Sequence, residues 1–358
     1  MKVLIKNIAF IIASVLMIMS CSDGHRSGFN SAKQSTIDSA LQFTVDTILK
    51  NKMAEINATS GQAIVMEVAT GEIKAMVGNG FSQESRLVRV ATLLATLESG
   101  KVTLEDTVDA YCGIYQMKDT VLRDHNWHRG GYGTLTAKQS LAHSSHIAMY
   151  RNVRKAFGSV GAYLDALYSV GYGLPESMDG LDSLKEYRRF VSHDSTWEDI
   201  AFFSTGLKQS ISPIQVLTFV NAIANDGKMV RPTLFKREPE TIVPMIASKA
   251  SIDSMQVALR YVITDGLGRR ASSEKVEVAG VQGAALISGT NEYQEDSDQA
   301  VYAAEFCGYF PAEAPKYSII VSMNKKGLPC SGGGMAGPVF KEIVDYMHLH
   351  RTHVGINY

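Results

Sequence analysis

Histidines and serines between residues 125 and 146 are the side chains best suited to chemistry in this sequence. His143 and His146 are three residues apart, a spacing that would put two metal ligands on one helical face, and His125 and His128 lie upstream. No Asp, Glu or Cys stands at a matching spacing, so solvent-facing or helix-capping histidines explain the pattern more simply. An imidazole at His146 could relay a proton for Ser144, although such a histidine is more often a hydrogen-bonded interior or cleft group. We therefore expect no metal and no cofactor.

Composition bounds the class of protein. The 358 residues are 45% hydrophobic and 20% charged, which is typical of a globular protein with a substantial core. The formal net charge is −1, and it becomes −3 without the first twenty residues, because Lys2 and Lys6 are then lost. No basic field is available to attract nucleic acid. The stretch Gly266–Arg270 lacks a preceding strand and matches neither common nucleotide-binding loop.

The first residues read as an export signal. Residues 1–20 begin with two lysines and continue as an apolar run that is shorter than the roughly 20 residues needed to span a bilayer. The run ends at Cys21 in a pattern that resembles a lipobox, which predicts a lipoprotein acylated on Cys21. An uncleaved anchor or an unmodified thiol are the alternatives. Residues 21–35 are polar and rich in Ser and Gly, as expected of a flexible tether.

The other three cysteines, Cys112, Cys307 and Cys330, are odd in number and widely spaced. They form neither a disulfide framework nor a zinc motif. One bridge could form, but three buried free thiols are the expectation.

Apolar spacing and turn residues predict the elements that must position these side chains. Strands at both ends with helices between them predict an α+β domain over residues 36–348, followed by a tail at 349–358. The predicted helices cover residues 37–56, 85–99, 137–157, 159–170, 197–204, 213–226, 251–265 and 338–348. The predicted strands cover residues 62–68, 72–77, 301–308 and 317–323, and 331–334 is a glycine-rich turn. Residues 101–275 are therefore expected to be mainly helical.

Several segments carry a family resemblance, in consistent order from about residue 36 to 345. They include Gly61–Glu67, Thr70–Met76, Leu94–Val102, Gly171-Tyr172-Gly173, Ser212-Pro213-Ile214-Gln215, Ala222–Gly227, Phe306–Pro311 and Gly334–Phe340. They resemble the penicillin-binding-protein transpeptidase domain. The resemblance implies the β-lactamase-like fold of that family, with an antiparallel sheet, flanking helices and a mainly helical subdomain. It also implies a place in the cell envelope and peptidoglycan stem peptides or cell-wall synthesis proteins as partners.

The first of the three motifs that line the family's cleft, Ser-x-x-Lys, aligns with Arg86 and Arg89. Acyl transfer needs a hydroxyl nucleophile and a neutral base. Arg86 has no hydroxyl, and the guanidinium of Arg89 stays protonated and cannot act as that base. Ser85 is one residue early, which turns its side chain about 100° around a helix. Two arginines at a helix N-terminus would instead attract a carboxylate, unless both point into solvent.

The other two motifs are also altered. Ser-x-Asn reads Ser144-Ser145-His146, so the serine survives and histidine replaces asparagine. Lys-(Thr/Ser)-Gly-Thr is matched to Ile287-Ser288-Gly289-Thr290, in which the lysine charge is lost and the hydroxyls remain. A strand there could still pair with an extended peptide.

Three hypotheses follow from these altered motifs. The first is a non-catalytic protein that keeps the fold to bind a peptidoglycan peptide or to scaffold wall synthesis, with no catalytic residues. The second is a serine transpeptidase or carboxypeptidase with a relocated nucleophile, Ser85 or Ser144. The third is a structural lipoprotein without a wall ligand.

Overall fold

The structure is a computed structural model that describes residues 33–78, 87–174, 178, 188–288 and 300–352. Residues Gln34–Tyr358 form one compact unit, and of the other unit, Met1–Lys33, only Lys33 is described. Cys21, the predicted signal and most of the predicted tether lie outside the described residues. The end of that tether is not free, because the carbonyl of Gln34 accepts a hydrogen bond of 2.7 Å from the Lys236 N–H.

The described chain contains nine α-helices and thirteen strands. The α-helices are α1 (Ser39–Ile56), α2 (Val88–Glu98), α3 (Ala137–Ala142), α4 (His146–Ala156), α5 (Val160–Ser169), α6 (Trp197–Phe203), α7 (Pro213–Ala224), α8 (Lys249–Thr264) and α9 (Gly337–Thr352). The strands are β1 (Ala58–Glu67), β2 (Ile73–Gly78), β3 (Thr107–Asp109), β4 (Ile114–Gln116), β5 (Val121–Arg123), β6 (Thr134–Thr136), β7 (Arg188–Arg189), β8 (Gln209–Ser210), β9 (Met229–Val230), β10 (Thr241–Val243), β11 (Ala279–Ser288), β12 (Val301–Phe310) and β13 (Tyr317–Lys326). Short 3₁₀ turns at Trp127–Arg129 and Arg269–Ala271 and a π-helix at Gly332–Ala336 complete the described elements.

Strands from both ends of the chain build one five-stranded sheet in the order β11-β12-β13-β1-β2. Every neighbouring pair is antiparallel, and Ile64 of β1 lies opposite Ile320 of β13. The predicted hairpin is confirmed, with Gly71 at a φ of 75°. A Cβ at Gly71 would lie 2.4 Å from the Arg231 carbonyl oxygen, so the turn needs a residue without a side chain.

Each face of the sheet covers a hydrophobic core, because side chains alternate between the faces of a strand. Ala63 and Val65 belong to the core that β1 forms with α1 and α9. Ile64 and Met66 belong to the core beneath α2, α7 and α8. Residues 88–97 of α2 are all buried, as expected of a helix that is apolar on every side. α2 therefore runs through the interior of the domain.

Residues 101–275 differ from the predicted pattern in two places. The region opens with four short strands, β3 to β6, in a stretch for which no helix or strand was predicted. The predicted helix over 137–157 is two helices, α3 and α4, which are separated at residues 143–145. Ser144 has a φ of 55°, a left-handed conformation that cannot continue an α-helix. This break creates the loop that carries the second motif.

The prediction of three buried thiols is wrong for Cys112, which is exposed. Cys307 is buried and Cys330 is partly buried, and all three are free. Burial raises the pKa of Cys330 to about 12, so this thiol stays protonated.

No helix in the described part of the chain combines the length and the apolar character that a membrane crossing requires.

Candidate functional site

The first-motif position lies where α2 begins. Ser85 and Arg86 are outside the described residues, and Arg89 is in the first turn of α2. Only 2% of Arg89 is exposed, and its Nη2 donates a 3.3 Å hydrogen bond to the carbonyl oxygen of Gln282 in β11. Arg89 therefore does not point into solvent. It enters the interior and links α2 to the edge of the sheet.

The charge of Arg89 acts on two neighbouring titratable groups, Asp124 and His125. Burial raises the pKa of Asp124 above 3.8, and hydrogen bonds and the Arg89 guanidinium act in the opposite direction. The pKa of His125 falls below 6.5, through burial first and the charge of Arg89 second. The site thus favours neutral His125 and places a buried carboxyl near a buried guanidinium.

The second-motif loop connects α3 to α4 and is held by hydrogen bonds at both serines. Ser144 Oγ accepts a 3.0 Å hydrogen bond from Gln282 Nε2. Ser145 caps α4, since its Oγ accepts from the Ala148 N–H at 3.0 Å. The Ser145 hydroxyl also lies 2.6 Å from Asp124 Oδ2, to which it donates.

His146 is the first residue of α4 and also contacts the Asp124 segment. The backbone N–H of His146 donates to Asp124 Oδ1 at 2.6 Å, and the N–H of Ile147 donates to the same oxygen at 3.1 Å. The imidazole Nδ1 lies 3.1 Å from the carbonyl of Arg123, which can only accept. Asp124 therefore satisfies two of the free N–H groups at the start of α4, and one His146 nitrogen holds the β5 backbone.

The third motif must lie beside the first two if all three line one cleft. Gln282 meets this requirement, since its carbonyl binds Arg89 and its side chain binds Ser144. Ile287 is five residues further along β11, roughly 16 Å away at about 3.3 Å per residue. The segment of β11 that lies beside the other two motif positions is therefore 281–284, Val281-Gln282-Gly283-Ala284, rather than the predicted 287–290. Gly289 and Thr290 lie outside the described residues, as does the side chain of Ser288.

Aromatic and imidazole rings flank the second-motif loop. The Tyr132 ring stacks on His143 at a centroid distance of 5.3 Å, and its hydroxyl donates to the His143 carbonyl at 3.2 Å. The same hydroxyl lies 3.1 Å from His125 Nε2. Burial, with help from the charge of Asp124, raises the pKa of Tyr132 to about 12. Tyr132 is therefore a neutral support for the loop at physiological pH.

His143 and His146 do not lie on one helical face. His143 is the C-cap of α3 and His146 begins α4, on the far side of the loop. Within the described ranges, no three His, Cys, Asp or Glu side chains are placed to hold a metal ion.

The arrangement of Arg89, Gln282 and Ser144 joins the three motif positions directly. The guanidinium cannot take a proton from Ser144, and the Gln282 amide donates to that hydroxyl. Ser145 does have a carboxylate, Asp124, within hydrogen-bond distance, but Ser145 is fully buried and caps a helix. The described contacts are those of a structural cross-link between α2, β11 and the second-motif loop.

Sequence reasoning missed Asp124 and Gln282, the two residues that organise this site. Asp124 stands 21 residues before Ser145 and belongs to no motif, so its capping role could only emerge from the fold. Gln282 did carry a signal, because Gly283 follows it as glycine follows the hydroxyl residue in the family's third motif. Along the chain, the literal match at Ser288-Gly289-Thr290 is the stronger pattern.

Comparison with known proteins agrees with this architecture. The sequence model for the penicillin binding protein transpeptidase domain matches residues 61–345. The transpeptidase domain of penicillin-binding protein 3 from Burkholderia pseudomallei has a TM-score of 0.78 and 23% identity, covering 92% of this chain and 98% of its own.

Proteins with similar sequences belong to the same family. A probable peptidoglycan D,D-transpeptidase, PbpC of Pseudomonas aeruginosa, is 25% identical over 86% of this chain and 57% of its own length. Another, PenA of Neisseria flavescens, is 23% identical over 86% of this chain and 80% of its own length. Among the similar curated relatives, PbpC and PbpB of Mycolicibacterium smegmatis match over little more than half of their own length. A match over most of the chain, with the antiparallel sheet and helices described above, places this chain in the penicillin-binding-protein transpeptidase domain family.

Proposed function

We propose that this chain is a non-catalytic member of its family, which binds a peptidoglycan peptide or scaffolds the cell-wall machinery in the cell envelope. A lipid on Cys21 would anchor it to a membrane. The relatives PbpC and PenA are probable peptidoglycan D,D-transpeptidases. That role supports a fold suited to peptidoglycan peptides.

The buried Arg89 is the observation that carries the non-catalytic proposal. It aligns with the lysine of the first motif, and a guanidinium keeps its proton at any pH at which the protein is folded. β11 is an edge strand, and an extended peptide could pair with its backbone. The hydrogen bond from Arg89 occupies one backbone acceptor of this strand, the Gln282 carbonyl. The Arg89 contact thus favours a structural role over carboxylate capture.

A relocated serine nucleophile is the competing proposal. The Ser144 hydroxyl accepts a hydrogen bond from the Gln282 side-chain amide. The amide NH₂ is a donor, so this contact offers no group that could take the Ser144 proton. Ser85 stays a prediction, since it lies outside the described residues. Loss of a single nucleophile costs on the order of 10⁶ in turnover, so even a partial substitute would be readily distinguished from none.

Labelling with a fluorescent penicillin tests the non-catalytic proposal. We expect the full-length protein to show no covalent band under conditions that fully label an active transpeptidase domain, because acylation needs an activated serine. Ser85→Ala and Ser144→Ala are the matched variants. A band that appears in the wild type and disappears in either variant would establish the enzyme hypothesis instead.

Lipid attachment is tested by growing cells with a clickable fatty acid. We expect label on the wild-type protein and none on Cys21→Ser, which should also be released from the membrane fraction. Cys112→Ser, which replaces an exposed thiol, is the control and should keep the label. Equal labelling of wild type and Cys21→Ser would refute the lipid anchor.

A further inference from the structure

A cavity that contains none of the three motif positions lies between the short strands β3 and β4 and one face of α4. Its volume is about 510 Å³, and its walls include Asp109, Tyr115, Tyr150, Arg151, Arg154 and Lys155. This volume falls within the roughly 300 to 1,000 Å³ of ordinary ligand sites. The lining combines two aromatic rings with three cations from one helix.

Arg151 is held in place by neutral groups. Its Nη1 donates to the Asp109 carbonyl at 3.1 Å and also to the Tyr111 hydroxyl. Its guanidinium stacks over the Tyr111 ring, 5.0 Å from the centroid. Both contacts orient the side chain and leave its charge without a counter-ion.

Arg154 is oriented in the same manner, one helical turn further along α4. Its Nη1 donates to the Tyr150 hydroxyl at 3.1 Å. Its guanidinium lies 4.2 Å from the centre of the Trp197 ring, a cation–π contact. These two contacts fix the planar guanidinium of Arg154 before any ligand binds, which reduces the conformational entropy lost on binding.

The neighbouring charged groups in the described ranges form no ion pair with Arg151 or Arg154, so both guanidiniums are available to bind a ligand. Lys155 is paired with Asp106 at 2.6 Å. Asp109 uses Oδ1 to accept the Tyr111 N–H at 2.6 Å. Within the part of the chain that the structure describes, neither Arg151 nor Arg154 has an ion-pair partner. Two preoriented guanidiniums without a direct ion-pair partner suit the bidentate binding of carboxylates.

We propose that this cavity binds the carboxylate groups of an acidic peptide through Arg151 and Arg154. The proposal rests on the proposed function, and it moves peptide recognition from the altered motifs to the α4 face. Tyr115 provides apolar contact area for the peptide, whereas Tyr150 is only 2% exposed and serves to hold Arg154 through its hydroxyl. Asp109 would receive an ammonium group and would repel a phosphate, so a zwitterionic peptide, such as a peptidoglycan stem peptide, fits the charges better than a phosphorylated ligand.

Calorimetric titration of the full-length protein with a sugar-free stem tetrapeptide tests this site. We expect Arg151→Gln and Arg154→Gln each to weaken binding about tenfold, the usual effect of losing a charge-assisted hydrogen bond. Arg151→Lys and Arg154→Lys keep the charge without the planar fork and should lose less. Arg129→Gln, an exposed arginine bonded to His128 outside the cavity, is the matched control and should leave the affinity unchanged.

The outcomes separate the site from the function. If the wild type binds and both glutamine variants bind equally well while remaining folded by circular dichroism, the cavity assignment is overturned and peptide binding stands. If the wild type does not bind the peptide, both the cavity assignment and the peptide-binding function are overturned. If inorganic phosphate binds to the cavity more tightly than the peptide, the carboxylate assignment is overturned.

Discussion

Replacing Asp124 with alanine is expected to lower the free energy of unfolding by about 3 to 5 kcal/mol. The Asp124 carboxylate is 1% exposed and accepts hydrogen bonds from the Ser145 hydroxyl and from the N–H groups of His146 and Ile147. Alanine leaves these buried donors without an acceptor, and each unsatisfied donor costs about 1 kcal/mol or more. Equilibrium urea unfolding, followed by circular dichroism, measures the loss.

Asp124→Asn is the matched control for that experiment. The amide keeps one oxygen for the two backbone N–H groups, and its NH₂ can donate to Ser145 Oγ. We expect a loss of about 1 kcal/mol at neutral pH, the value of one typical hydrogen bond. A loss as large as that of alanine would mean that the carboxylate charge, rather than its acceptor atoms, holds the loop.

The same pair of proteins yields a pH dependence with a defined sign. Burial raises the pKa of Asp124 in the folded state above 3.8, so folding favours the protonated carboxyl. The contribution of protonated Asp124 to the free energy of unfolding is complete below pH 3.8, and it is lost as the pH rises through the folded-state pKa of Asp124. We therefore expect Asp124→Asn to gain stability relative to the wild type as pH rises over that window. A constant difference across the window would contradict the raised pKa.

Arg89→Ala should cost about 2 to 4 kcal/mol, the second-largest effect that we expect. It removes the hydrogen bond to the Gln282 carbonyl and leaves a cavity in the first turn of α2, which is buried throughout. Because the Arg89 charge lowers the pKa of both Asp124 and His125, its loss should raise both values. Denaturant unfolding measures the stability, and NMR titration of His125 measures the pKa.

Two further variants isolate the role of Arg89. Arg89→Lys keeps the charge, so the pKa of His125 should stay close to its wild-type value while stability falls by about 1 kcal/mol. Gln282→Ala removes the contact with Ser144 and keeps the backbone carbonyl that Arg89 uses. If Arg89→Ala were as stable as the wild type, the structural cross-link would be refuted.

Much of the fold could be predicted from the sequence because its signals are local. The hairpin of β1 and β2 followed from two apolar runs around Gly71, and α1 followed from apolar residues at intervals of three and four. The helix pattern failed at 143–145 because the apolar spacing continues across the break. The left-handed Ser144 and the buried Asp124 override that local preference through tertiary hydrogen bonds.

The candidate site was predicted less completely. That Arg89 cannot act as a base follows from its residue type, since no environment within the protein removes the guanidinium proton. The direction of its side chain does not follow, because two arginines at a helix start could equally face solvent. The third-motif position at 287–290 stays a prediction. A literal Ser-Gly-Thr match there competes with a weaker pattern at 281–284, the segment whose Gln282 carbonyl binds Arg89 of α2.

The sequence by itself determined the family and the α+β class, and it predicts that Arg86, Arg89 and His146 stand at the family's serine, lysine and asparagine positions. These are properties of residue type and spacing along the chain. Tertiary structure alone decided that Arg89 is buried against Gln282, that Asp124 caps α4, and that Arg151 and Arg154 face one cavity. Each of these depends on which distant segments meet. Arg89 of α2 and Gln282 of β11, for example, are in contact although they are 193 residues apart in sequence. Such encounters are set by the packing of the whole core, and no local pattern encodes them.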